Sequence, residues 1–169
     1  MTGVLHAITA GELADAAPLG GSLVALNNAH AVELSPLDLT RFRHLAAQAF
    51  LAKRIGDVEA FLIAFDQGAD YDSPNFIWFR DRYDRFVYVD RIVVAREARG
   101  RGHARRLYED LFRSARQAGH DRIVCEVNST PPNPESDAFH AALGFAEVGS
   151  GSLGGGKTVR YLVCPLGTE

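Results

Sequence analysis

Between Arg96 and Arg106 the chain gathers arginines around a pair of glycines. Arg96, Arg99, Arg101, Arg105 and Arg106 surround Gly100 and Gly102, with Glu97 as the acidic residue among them. Glycines in the turn Arg99-Gly100-Arg101-Gly102-His103-Ala104 let the backbone bend sharply and come close to a ligand. The helical pattern that follows aims its free N–H groups into that turn, with about half a positive charge at its start. Exposed cations there oppose the macrodipole by roughly 0.3–1 kcal/mol each. In a chain of formal net charge −3, such a local concentration points to a bound anion of the phosphate type. Arginines solvated around an ordinary turn are the plainer reading of the same spacing.

Two carboxylates interrupt apolar runs. Glu126 breaks Ile123–Val127, and Asp90 stands between Phe86–Val89 and Ile92–Val94. The two-residue period of a strand puts Tyr88 and Asp90 on one face, and Asn128 on the side of Glu126. A carboxylate so placed can take a proton from a nucleophile, directly or through water. Each also has a structural reading: Asp90 pairing with Arg91, and Glu126 accepting from backbone N–H groups. A third feature is a decoy. Gly151–Thr158 matches G-x-x-x-x-G-K-[ST], but a phosphate loop of that type opens a helix, whereas Val159–Cys164 reads as a strand. The segment is read instead as a flexible hairpin loop that could gate an acceptor site.

The elements that must position these residues follow from period and punctuation. Residues 1–22 read as a loosely held leader and 23–166 as the folded domain. Leu23–Asn27 is read as a first strand. Asp38 is a good N-cap for a helix over Leu39–Phe50, where Leu39, Phe42, Leu45, Ala46 and Ala49 share a face. Val58–Phe65, ended by Asp66-Gln67-Gly68, is a strand. Ser73-Pro74 opens a helix carrying Phe76, Phe79 and Tyr83, although a strand over 74–83 also fits. Phe86–Val94 is a central strand. Arg101–Ala118 is an amphipathic helix, with Ala104, Leu107, Leu111, Phe112 and Ala115 inward and Gly119 as its stop. Ile123–Val127 is a strand, Glu135–Leu143 a helix ended by Gly144, and Phe145–Val148 with Val159–Val163 a closing strand pair. The order predicts one α/β (α+β) domain built on a mixed sheet.

The strand–turn–helix at Phe86–Ala118 resembles the signature of the GNAT superfamily of N-acetyltransferases, Arg/Gln-x-x-Gly-x-Gly/Ala. Arg99, Gly102 and Ala104 fill its positions, with Gly100, Arg101 and His103 between. Asn133-Pro134-Glu135-Ser136-Asp137-Ala138-Phe139-His140 through Gly144-Phe145 resembles the superfamily's later helix. Tyr88–Val94 and Glu126–Asn133 are similar to a bacterial branch of predicted acetyltransferases. The resemblance implies a mostly antiparallel sheet of six to seven strands, flanked by helices and splayed at the cofactor site. It implies acetyl-coenzyme A as co-substrate, its diphosphate on residues 99–104 and its pantetheine arm along Ile92, Val93 and Val94. Asn133, Ser136 and Phe139 would also touch the cofactor. His140 stands where most relatives have a tyrosine that protonates the departing thiolate, and an imidazole can donate or accept near neutrality. Some members use a glutamate at the position of Glu126 as general base; Asp90 is the second candidate. A lysine-like amine of pKa about 10.4 is neutral about once in 2,500 at pH 7, so a base matters by roughly 4.6 kcal/mol.

The expected function is acetyl transfer to a primary amine of a small molecule or peptide, by direct attack in a ternary complex. The competing function is a non-catalytic module that binds or senses acyl-coenzyme A. Composition agrees with a globular chain: 169 residues, 47% hydrophobic and 23% charged, enough to bury roughly 70% of the unfolded surface. The net charge gives no reason to expect nucleic acid or a membrane as partner, and a homodimer is among the assemblies the reading admits. Cys125 and Cys164 lie in apolar runs without metal-ligand spacing, so no metal is expected. No signal peptide or membrane span is legible, which places the expected protein in the cytoplasm.

Overall fold

A computed structural model describes residues 3–13, 18–30 and 36–167. Seven strands and five α-helices follow one another as β1 (Leu5–Ala7), α1 (Pro18–Asn28), α2 (Leu39–Gln48), β2 (Leu51–Ile55), β3 (Ala60–Asp66), α3 (Pro74–Arg80), β4 (Val87–Val94), α4 (His103–Gln117), β5 (Arg122–Thr130), α5 (Pro134–Leu143), β6 (Ala146–Gly154) and β7 (Lys157–Pro165). Along the sheet the strands run β1-β2-β3-β4-β5-β7-β6. The expected α/β class with a mixed sheet of six to seven strands is the one observed. The described residues group into two compact units, 1–65 with 89–111 and 66–88 with 112–169.

In the first unit β1 pairs antiparallel with β2, Leu5 opposite Ile55, and β2 with β3, Leu51 opposite Ala64. Ala60 through Phe65 are all fully buried, which is why that run is continuously apolar rather than alternating. Asp38 caps α2 as expected, its Oδ1 accepting from the Arg41 N–H at 2.7 Å. The helix turns Phe42 and Leu45 inward, and Phe42 meets Phe61 edge-on at 5.6 Å. Leu23–Asn27 is not a strand but the second half of α1. Its buried residues, Gly20, Leu23 and Asn27, recur at helical spacing, and a short apolar run does not separate the two periods. Within the segment read as a leader, Leu5–Ala7 is paired as β1. The sequence reading also passed over β2, a strand whose three middle residues are only half-buried and include Lys53 and Arg54.

In the second unit β4 and β5 run parallel, with Val87 opposite Ile123 and Tyr88 opposite Val124. β5 pairs antiparallel with β7, and β7 with β6. The segment after Ser73 is a helix, with Pro74 in its first turn and Phe76 and Phe79 buried. Gly144, in the left-handed conformation, ends α5. The expected flexible loop at Gly151–Thr158 is mostly strand: β6 runs to Gly154, β7 starts at Lys157, and the turn is Gly155-Gly156. Its glycines have a packing reason. A Cβ on Gly149 would stand 2.5 Å from Trp78 Cζ2, and one on Gly151 2.8 Å from the Tyr161 hydroxyl. Aromatic side chains lie directly on the β6 backbone at Gly149 and Gly151, whereas Gly154, Gly155 and Gly156 take positive φ at the hairpin turn. Among the described residues no helix is long and apolar enough to cross a membrane.

Candidate active site

In the first unit β4 delivers the arginine-rich turn. Along the strand Arg91 and Val93 are buried and Asp90, Ile92 and Val94 half-buried. A single turn of 3-10 helix, Arg96–Ala98, follows. Gly100 and Gly102 then take φ of +80° and +77°, values that cost a residue with a Cβ about 1–2 kcal/mol. A Cβ on either glycine would meet nothing within 4 Å, so the turn faces open space. The helix starts at His103, two residues later than the spacing suggested. Its first i→i−4 bond runs from the Arg106 N–H to the Gly102 carbonyl, at 3.0 Å. The amides of His103, Ala104 and Arg105 therefore have no carbonyl of the helix to meet.

The arginines of the turn have partners that the sequence did not disclose. Glu97 is joined by Glu59, from the β2–β3 turn, as an opposing carboxylate. Glu59 accepts from Arg101 Nη1 at 3.3 Å, and His103 Nε2 lies 3.3 Å from its other oxygen without hydrogen-bond alignment. Arg99 Nη2 donates to His30 Nε2 at 3.2 Å; the His30 Nδ1–H is given to the Leu26 carbonyl. Arg106 Nη1 and both ring nitrogens of His103 are buried with no hydrogen-bond partner among the described residues. A buried unsatisfied donor costs about 1–3 kcal/mol.

Asp90 is differently employed. Its carboxylate is 4% exposed and accepts from Arg91 Nε at 2.7 Å, while Arg91 Nη1 donates to Asn27 Oδ1 at 2.9 Å. This is the structural reading of Asp90: a buried ion pair tied to α1.

The second unit holds Glu126, half-buried on β5. Oε2 accepts from the Tyr88 hydroxyl at 2.7 Å, and Oε1 from Asn75 Nδ2 at 3.0 Å. Asn75 Oδ1 in turn accepts from the Tyr161 hydroxyl at 2.9 Å. Burial, then the negative charge of Glu126, push the Tyr161 phenol above its ordinary range, against a smaller opposite pull from Arg82. Trp78 stacks on Tyr161, centroids 4.1 Å apart and planes at 18°, and the Arg82 guanidinium lies 3.7 Å from the same indole. In sequence, the family resemblance puts Glu33, Tyr71, Asn75 and Trp78 in segments that would border an acceptor pocket, while Tyr161 carries no signal. Glu33 lies outside the described residues.

On α5, the Asn133 side chain accepts from the Ser136 N–H at 3.3 Å and so caps the helix. Phe139 is half-buried with its ring against His140. His140 is 5% exposed, between Phe139 and Phe145. Its Nδ1 lies 2.7 Å from the Ser136 carbonyl and 3.2 Å from the Ser136 hydroxyl. A carbonyl can only accept, which assigns the proton of the neutral ring to Nδ1. Burial pushes the His140 pKa below its ordinary value, outweighing the hydrogen bond to Ser136 and the charge of Asp137. Cys125 and Cys164 are buried thiols.

Comparison with known proteins identifies the family and the fold. The sequence profile of the acetyltransferase (GNAT) family matches residues 32–145, about two thirds of the chain. Among proteins of curated function, none matches in sequence. In fold, the chain is similar to the ribosomal-protein-S18-alanine N-acetyltransferase of Escherichia coli (TM-score 0.70, 17% identity, 100% of this chain and 96% of that one). It is similar to a chain of the NatC complex solved with Gag peptide and CoA (0.75, 15%, 99% and 100%). It is similar, too, to the phosphinothricin acetyltransferase of Sinorhizobium meliloti solved with acetyl-CoA (0.69, 20%, 99% and 90%). A profile match that spans both the glycine turn and α5, on a sheet of this strand order, has one consequence: the chain belongs to the acetyltransferase (GNAT) family.

Proposed function

We propose that this protein transfers an acetyl group from acetyl-coenzyme A to a primary amine of a small molecule or peptide, by direct attack in a ternary complex. The observation that carries the reading is the turn at 99–104: positive-φ glycines facing open space, amides without helical acceptors, and an Arg106 donor without a partner. These features fit a diphosphate, which offers charged oxygens to all of them. Bound there, the co-substrate supplies an activated acetyl thioester. Ile92, Val93 and Val94, on the strand that leads into the turn, are proposed to hold its arm.

Glu126 is the proposed general base. Two neutral donors orient its carboxylate, an arrangement that a passive binding module does not need. An incoming ammonium group must lose a proton before its nitrogen can attack, and Glu126 can take it, directly or through water. Asp90 is committed to Arg91 and serves β4 rather than proton transfer. His140 holds its neutral-state proton on Nδ1, toward Ser136. To donate from Nε2 it must first become an imidazolium, which burial opposes, so the geometry argues against its acting as the general acid. Neither buried thiol is placed to form a covalent intermediate.

The test is release of free thiol from acetyl-coenzyme A with a panel of amines. Turnover on at least one amine is expected, and Glu126→Gln should lower kcat by about 10²–10⁴ with coenzyme A affinity retained. Binding of coenzyme A without turnover on any amine would make the protein a sensing module instead.

A further inference from the structure

The hydrogen bonds at Glu126 are not equivalent, and the difference assigns roles to residues that lie far apart in sequence. Asn75 comes from α3, Tyr88 from β4, Glu126 from β5 and Tyr161 from β7, all within the second unit. Tyr88 is fully buried, Tyr161 is 2% exposed and Asn75 9%. The orientation of the Asn75 amide follows from its neighbours. A carboxylate oxygen only accepts, so the side facing Glu126 is the NH₂ group, and the carbonyl side receives the Tyr161 hydroxyl. Tyr161 is itself held by the Trp78 stack, by Phe79 edge-on at 5.3 Å and by the backbone at Gly151.

We propose that Asn75 and Tyr161 are positioning residues for Glu126. Tyr161 locks the Asn75 amide, and the amide fixes Glu126 Oε1 as the oxygen that stays unprotonated. The chemistry is asymmetric because an amide NH₂ can only donate, whereas a phenol hydroxyl can donate or accept. When Glu126 takes a proton from the amine, an N–H bond breaks, its electron pair stays on nitrogen, and an O–H bond forms on Oε2. The Tyr88 hydroxyl can turn to accept that new O–H; Asn75 cannot. The proton therefore lodges on the Tyr88 side while Oε1 keeps its bond to Asn75. This inference rests on Glu126 being the base.

Two measurements test it on the full chain. The first is the pH dependence of kcat/KM for Asn75→Asp and Tyr161→Phe beside the unaltered protein. Asn75→Asp puts a second carboxylate against Oε1, and carboxylates sharing a site raise an apparent pKa. Its acid limb should move up by about one pH unit or more, with kcat reduced and the KM for the amine little changed. Tyr161→Phe, which unlocks the amide without adding charge, should shift the limb the same way by less. The second is infrared titration of the Glu126 carboxylate band, identified by its loss in Glu126→Gln. The band should titrate at higher pH in both variants, whether or not turnover is seen. If no amine is acetylated, the function proposed above fails, while the infrared titration still decides the roles of Asn75 and Tyr161. An unmoved band and an unmoved acid limb in Asn75→Asp, in protein whose thermal unfolding is cooperative, would overturn the proposal.

Discussion

The ionisable side chains of this protein separate by what surrounds each of them. Asp90 and Glu126 look alike in sequence, each a carboxylate breaking an apolar strand. One ends in a buried ion pair with Arg91, the other between a phenol and an amide. The difference was not legible because the deciding partners are remote: Asn75 is 51 residues from Glu126, and Tyr161 is 86 from Asn75. The clustering of arginines at the turn was legible because those residues are near neighbours in the chain. His140 supplies a prediction at this scale. Its folded-state pKa lies below the unfolded value near 6.5, so below pH 6.5 the unfolded chain binds the extra proton more readily. Stability is fully present above pH 6.5 and falls as pH drops from there toward the lowered folded value. His120 is shifted the same way, mainly by burial, so part of the slope remains in any single variant. His140→Gln should flatten the loss between pH 6.5 and 5, read as the change in denaturant midpoint between those values.

Elements with a strong period or clear punctuation were read correctly, and the others failed for identifiable reasons. Asp38 at the head of α2, Pro74 at the head of α3 and the glycine stops after α4 and α5 are local signals, and the helices begin or end where they say. α1 was misread because Leu23-Val24-Ala25-Leu26 is too short to reveal its period. β2 was missed because Lys53 and Arg54 dilute it, Lys53 reaching Asp110 at 2.5 Å and Arg54 reaching Glu12 at 3.2 Å. Gly149 and Gly151 of β6 read in sequence as turn or loop residues, whereas they make room for Trp78 and Tyr161. That packing predicts a contrast. Gly149→Ala forces a methyl group against an indole that Tyr161 and Arg82 hold in place, and should cost about 1–3 kcal/mol. Gly21→Ala, in α1 where a Cβ meets nothing within 4 Å, should gain about 0.5–1 kcal/mol. Denaturant unfolding of the two variants beside the parent checks both signs.

For the whole molecule, a chain of net charge −3 concentrates cationic donors at the start of α4 and leaves part of them unsatisfied. Glu59 and His30 occupy Arg101 and Arg99 through hydrogen bonds of 3.2–3.3 Å at exposed positions, contacts that a multiply charged anion can displace because exposed pairs are worth only about 0–1 kcal/mol. The central claim is that this turn is built for a diphosphate, and calorimetric titration of coenzyme A into the full chain tests it most directly. Saturable binding is predicted for the parent and none for Gly102→Glu, which puts bulk and negative charge into the open space before the helix. No binding to the parent, or equal affinity in the folded variant, would contradict it.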